Sequence, residues 1–221
     1  MIAIIDYGLG NITAFANVYK NLNIPFNIVS AADDLIDATK IILPGVGAFD
    51  YAMERLQKSG MKEPLDDLVL RHKIPVLGIC VGMQMLALSS EEGSLPGLGW
   101  IDGLVKLFDT SRLDRGTLLP HMGWNNVCPV GDFELVEGLD SSSVFYFLHS
   151  YYFQCHNSND IIATTEYGGK FTSAIGCENI YGVQFHPEKS HHWGIQLLKN
   201  FGEGRLQGAS QAPHETATLS S

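Results

Sequence analysis

A cysteine attacks a carbonyl carbon when a base takes its proton and a carboxylate holds that base in place. This chain carries such a set in Cys80, His186 and Glu188. Cys80 lies in Gly78-Ile79-Cys80-Val81-Gly82, where an apolar strand from Pro75 to Ile79 runs straight into an apolar helix from Val81. A glycine two residues to either side makes this the nucleophile-elbow pattern with Cys in place of Ser. Side chains at 78 and 82 would obstruct the backbone that passes close to so sharp a turn, and the free N–H groups of the following helix favour a negatively charged sulfur. A single cysteine is more often an inert core residue, so the partners decide. His186 ends a strand, is fixed by Pro187, and has Glu188 two residues on. Around an extended His-Pro-Glu turn, that carboxylate can reach the imidazole nitrogen facing away from Cys80. Gln84, one helical turn past Cys80 and on the same face, can hold the far end of a substrate.

The elements that must position these groups alternate in type. Met1 to Asp6, Phe26 to Val29, Lys40 to Leu43 and the elbow strand read as short buried strands. Helical patterns lie between them: Ile12 to Leu22 behind a possible N-cap at Asn11, a short turn at Asp33-Asp34, Phe49 to Gln57 and Pro64 to Arg71. This alternation implies a parallel sheet covered by helices on both faces, with ligands bound at the carboxyl ends of its strands. After Ser90 the pattern changes to strands at Gly99 to Phe108, Val144 to Gln154, Ile161 to Thr165 and Phe171 to Cys177, separated by hairpin turns. A strand from Tyr181 to Phe185 and a helix around Trp193 to Phe201 follow. The expected fold class is α/β, a mixed central sheet in one domain over residues 1–204. The small, polar, non-periodic residues 205–221 are expected to be a disordered tail.

Composition narrows the function. The 221 residues suffice for one substantial core, and a formal net charge of −10 argues against a nucleic-acid surface. No apolar run approaches membrane-spanning length, and Asp6 cuts the first apolar residues too short for a signal peptide. Cys80, Cys128, Cys155 and Cys177 form no Cys-x-x-Cys pair, so neither a zinc site nor a disulfide framework is indicated, and a reducing cytoplasmic setting is expected. His121, His149, His191 and His192 lack the spacing of a metal site and are read as ordinary core or surface residues. No cofactor is called for.

Five segments in order carry a family resemblance: Pro44-Gly45-Val46-Gly47, Gly78 to Gln84, His121-Met122-Gly123-Trp124-Asn125, His149-Ser150-Tyr151 and Gly182-Val183-Gln184-Phe185-His186-Pro187-Glu188-Lys189-Ser190. From Met1 to about Phe201 the chain resembles the class I (triad) glutamine amidotransferases. Within them it resembles glutaminase subunits that feed ammonia to a synthase making imidazole glycerol phosphate and AICAR in histidine biosynthesis. The resemblance implies L-glutamine as substrate and a Cys80-His186-Glu188 triad. It implies an oxyanion hole from the Val81 N–H and the 44–47 loop near Val46 and Gly47, and substrate contacts from Gln84, Ser150 and Tyr151. The two glycines of that loop allow it to act as a switch. The chain has no length for a second catalytic domain, and free ammonia becomes ammonium in water, so a separate subunit must receive it. In the family this partner is a (β/α)8 barrel, and the matching contact positions here are Asn11, Trp124, Tyr146 and Lys189.

Two alternatives stay open. Leu98 to Gly103, Asn179 to Gly182 and His191 to Gly194 look more like paralogues encoded with surface-polysaccharide genes, whose ammonia would go to a nucleotide-linked sugar. A stand-alone cysteine γ-glutamyl hydrolase on the same scaffold would need no partner.

Overall fold

The computed structural model describes residues 1–109, 111 and 118–206. Four N-terminal strands, β1 (Ile2–Ile5), β2 (Phe26–Val29), β3 (Lys40–Gly45) and β4 (Val76–Cys80), pair in parallel in the order β2-β1-β3-β4, and β13 (Ile180–Val183) joins the far side of β4, also parallel. All residues of β1, β4 and β13 are buried, as strands covered on both faces require. Helices α1 (Ile12–Asn21), α2 (Phe49–Lys58) and α3 (Lys62–Asp66) lie in the connections between these strands. A single π turn, Asp67–Arg71, continues α3.

Beyond β13 the sheet turns antiparallel through β12 (Lys170–Cys177), β10 (Tyr151–Cys155) and β6 (Gly103–Leu107), with β5 (Ser89–Ser90) parallel to β6 at the edge. β11 (Ile161–Glu166) pairs with β12 through the turn at Tyr167-Gly168-Gly169 and also takes β8 (Cys128–Pro129). The mixed sheet therefore belongs to one structure, as its alternating and then hairpin-rich sequence implied.

Two elements differ from the sequence reading in ways that matter. Val144 to Gln154 is not one strand. It breaks at Ser150 into β9 (Val144–His149), which pairs antiparallel with β7 (His121–Asn126) in a separate two-stranded sheet, and β10 in the main sheet. Aromatic rings join the two sheets. The His121 ring is held between Phe147 at 4.6 Å and Tyr167 at 3.9 Å, and Phe145 lies 4.1 Å from Phe185. The helix after Cys80, α4 (Val81–Gln84), is a single turn. Its continuation is blocked because the returning chain takes the carbonyls a longer helix would use: Leu98 N–H donates to Met85 O, Trp100 and Ile101 to Leu86 O, and Gly99 to Ala87 O.

The strand from Lys40 passes Leu43 and continues to Gly45, and the strand expected from Gly99 begins only at Gly103. Asn11 stands at the start of α1 without a side-chain cap bond. Arg205 and Leu206, assigned to the tail by composition, are tied to the body by backbone N–H bonds of 2.9 and 2.6 Å to the Glu134 carboxylate. The rest of the expected tail, 207–221, lies outside the described residues. The last helix is α5 (His191–Glu203).

Candidate active site

The sharp corner leaves a direct mark on the backbone: Cys80 holds φ 54° and ψ −111°, a region that residues with a Cβ avoid. Such strain costs about 1–3 kcal/mol and persists only where the surroundings enforce it. Here they are glycine backbone. A Cβ on Gly78 would lie 2.6 Å from Gly82 O, one on Gly82 would collide with Leu43 O, and one on Gly45 would collide with Gly82 N. The pairs Leu43↔Gly78 and Gly45↔Cys80 in the β3–β4 ladder require that closeness. Cys80→Gly should therefore be more stable than Cys80→Ala, which keeps the Cβ, by roughly 1 kcal/mol after the extra chain entropy of glycine is counted. Urea unfolding of the two variants measures this, and a midpoint for Cys80→Gly below that of Cys80→Ala would show that the corner stores no strain.

His186 follows β13, the parallel neighbour of β4, and so emerges beside Cys80. Its Nδ1 lies 3.0 Å from Glu188 Oε1, with both side chains buried. The reach comes from a 3-10 turn over Pro187–Lys189, which brings residue 188 back under the ring, and not from the extended turn expected. Ser190 locks this turn: its hydroxyl donates to His186 O at 2.6 Å and accepts from Tyr146 N at 3.0 Å, while His186 N–H donates to Tyr146 O at 2.9 Å. Burial pushes the His186 pKa down, but hydrogen bonds with Cys80 and Glu188 and the charges of both outweigh it and raise the value to about 10. The second Glu188 oxygen is buried without a hydrogen-bond partner among the described residues. The carboxylate therefore acts chiefly through His186, which the site holds protonated at neutral pH. With α4 only one turn long, this imidazolium is the larger source of positive potential at the sulfur.

A cavity of about 340 Å³ opens on Cys80 and His186. Val46, Gly47, Val81, Gln84, His149, Ser150, Tyr151 and Lys189 line it, as do Glu92, Pro120 and Leu148, which nothing in the sequence had pointed to. Because β3 runs on to Gly45, only Val46 and Gly47 are free of the ladder. Gly47 takes φ 87°, with open space where a Cβ would be. The Pro44 carbonyl just before them accepts a 2.7 Å bond from the buried Tyr7 hydroxyl.

Gln84 is more committed than expected. Both its amide protons are used, one to Tyr151 O at 3.1 Å and one to Gln184 Oε1 at 3.0 Å. Gln184, fully buried, in turn points its own amide nitrogen at Cys80 Sγ, 3.7 Å away. Its one signal in the sequence was a lone amide in the apolar run from Ile180 to Phe185.

The Tyr151 carbonyl also accepts from His149 Nδ1 at 2.7 Å. That bond fixes His149 Nε2 as an acceptor from His121 Nδ1 at 3.1 Å, and His121 Nε2 as an acceptor from Asn125 at 3.2 Å. Burial pushes His121 down to about 4 and His149 down to about 3, so both stay neutral. These histidines belong to the structure that shapes the cavity.

Of the four expected partner positions, three form one patch beside the cavity. Lys189 Nζ lies 5.6 Å over the Tyr146 ring, and Trp124 meets Tyr146 edge-on at 5.9 Å and stacks on His191 at 5.0 Å. Asn11 is exposed at the start of α1 and does not line the cavity. No helix of the described residues is long and apolar enough to cross a membrane.

Residues 3–203 match the family model for glutamine amidotransferase class-I. The chain is 59% identical over 203 residues to imidazole glycerol phosphate synthase subunit HisH of Bdellovibrio bacteriovorus, covering 92% of this chain and 100% of that one. It is 54% identical to the subunit HisH of Leptospira interrogans, over 91% of this chain and 98% of that one. In three dimensions it matches a crystal structure of a glutamine amidotransferase, with TM-score 0.68, 18% identity, and 91% of this chain and 98% of that one covered, a likeness of fold. Sequence relationship and architecture agree along almost the whole chain, including every strand that carries the cavity, and the chain belongs to the class I glutamine amidotransferase family.

Proposed function

We propose that this chain is the glutaminase subunit of an imidazole glycerol phosphate synthase, hydrolysing L-glutamine to glutamate and passing ammonia to a separate (β/α)8-barrel synthase subunit in histidine biosynthesis. The observation that carries the reading is a strained elbow cysteine and a buried His186–Glu188 pair at the wall of one cavity.

The chemistry follows from that arrangement. The Cys80 sulfur attacks Cδ of glutamine, and the negative charge moves to the amide oxygen, to which the Val81 N–H and a Val46 or Gly47 N–H donate. His186 gives its proton to the departing nitrogen, ammonia leaves, and a γ-glutamyl thioester remains. His186, now neutral, takes a proton from water as that water attacks the thioester. Glutamate leaves and the sulfur returns to its starting state. Glu188 keeps the imidazole oriented and favours its charged form. Ser150 and Tyr151, at the break between β9 and β10, offer backbone groups to the glutamine amino-acid end.

The oxyanion donors beyond Gly45 are outside the ladder, so their orientation is open to control by whatever covers the cavity. The patch of Trp124, Tyr146 and Lys189 supports docking of a partner on that side. Glutamine hydrolysis by the isolated chain is expected to rise at least about tenfold when the barrel partner with its acceptor nucleotide is added, within the usual span of coupling energies. Equal rates would remove the switch. Expression in a histidine auxotroph that lacks its glutaminase subunit tests the pathway, and failure to restore growth would favour a nucleotide-sugar acceptor. Near-full-length identity to subunits named HisH ranks the histidine pathway first.

A further inference from the structure

We infer that Gln184 is a catalytic residue of this site, donating an amide N–H to the Cys80 sulfur and so holding it charged and aimed at the substrate carbon. The inference rests on the glutaminase reading for its consequence in turnover, but its contact with the sulfur is independent of any substrate.

The orientation of the Gln184 amide is determined by valence. A backbone carbonyl can only accept, so Gln84 must present its NH2 to Tyr151 O. The same NH2 reaches Gln184 Oε1 at 3.0 Å, which leaves the Gln184 NH2 on the opposite side, 3.7 Å from Cys80 Sγ. Rotating the Gln184 amide would set two NH2 groups against each other and break the chain of bonds. Gln184 is fully buried, and its backbone N–H is held by Ser173 O at 2.9 Å, so the side chain has little freedom to move elsewhere. A buried amide aimed at a sulfur gains most when that sulfur is charged, because hydrogen bonds to ionised acceptors are the stronger ones. The other ionisable groups near the sulfur are His186, with Glu188 behind it, Tyr7 from the turn after β1, His149, and Glu92 and Lys189 on the cavity wall. His186 is coupled to the sulfur electrostatically, and Gln184 supplies a side-chain donor to it, so both act on the same atom. Once the thioester forms the sulfur is neutral and this hydrogen bond weakens, so the amide acts on the ionised fraction and the aim of the free sulfur.

The test is the rate of Cys80 alkylation by iodoacetamide in Gln184→Met and in Gln184→Leu, measured at pH 7 and pH 10 in the full chain, with the other cysteines accounted for in a Cys80→Ala background. Loss of the donor is expected to lower the rate at pH 7 about tenfold, as for a hydrogen bond to a charged group, and to change the rate at pH 10, above the ordinary range of thiol ionisation, far less. A residue that merely satisfied Gln84 would, on replacement, lower the unfolding midpoint and leave the pH 7 to pH 10 ratio unchanged, and that result overturns the inference. Leucine, the smaller side chain, decides the matter if methionine prevents folding. In the complex with the barrel partner, kcat for glutamine should fall about tenfold with KM little changed. If the parent complex does not hydrolyse glutamine at all, the glutaminase reading fails while the alkylation ratio still decides the role of Gln184.

Discussion

Cys80→Ala is expected to abolish glutamine-dependent synthesis by the complex, by about ten-thousand-fold or more, while synthesis from added ammonium salts continues at the parental rate. The size follows from losing the atom proposed to form the covalent intermediate, since the remaining donors would bind a substrate they cannot attack. Survival of the ammonia-driven reaction follows from the geometry. Alanine removes one sulfur from a buried corner and leaves the β3–β4 register, the Gly45–Gly82 contact and the outer patch of Trp124, Tyr146 and Lys189 as they are. Both rates are read in one assay of the reconstituted complex with glutamine or ammonium chloride as nitrogen source. Loss of both would mean that Cys80 is needed for the fold or the interface, and retention of the glutamine rate would place the nucleophile elsewhere.

Gly82→Ala should also be damaging, for a different reason. Its Cβ would run into the Leu43 carbonyl oxygen, with the Leu43 and Pro44 carbonyl carbons at 3.0 and 3.1 Å. All three obstacles are backbone of β3, so no side-chain rotation relieves the clash. Either β3 shifts away from the elbow or the elbow opens, and overpacking of this kind costs about 1–3 kcal/mol. Each response also moves Val46 and Gly47 relative to Cys80, because Gly45 is in register with it. A displacement of about 1 Å at a reacting centre lowers the rate on the order of a hundredfold. Gly47→Ala is the control. It meets no atom within 4 Å, but its φ of 87° strains any residue with a Cβ, so it should cost only about 1 kcal/mol. Urea midpoints and kcat for the two variants separate the effects. A Gly82→Ala protein with the parental midpoint would show that the strands are not in such close contact.

The elbow was legible because its constraint is local. A strand, a cysteine flanked at two residues by glycines and an apolar helical start require a sharp corner whatever surrounds them. The His-Pro-Glu segment was legible for a similar reason, since residues two apart in a short turn stay within reach of one another. The parallel half of the sheet followed from its buried strand runs, and the hairpins from their turn residues. What could not be read were outcomes of competition between distant partners. The run from Val144 to Gln154 is interrupted only by His149-Ser150, with no Gly or Pro to mark a turn, and it divides at Ser150 because β7 claims one part and β6 with β12 the other. The apolar stretch after Val81 is cut to one turn because Leu98 to Ile101 take its carbonyls first.

The sequence by itself determined the chemistry on offer: a thiol at a corner, a base with its carboxylate, and a glycine-rich strand end. Only the tertiary structure decided how those groups are used. It placed His186 beside Cys80 by pairing β13 with β4, more than a hundred residues apart, and folded Pro187–Lys189 so that Glu188 holds the ring. It committed Gln84 to Tyr151 and Gln184, and thereby turned Gln184 toward the sulfur. Residue type limits what a group can donate or accept, but which partner it meets is set by strand order and register, which depend on burying the whole sheet at once.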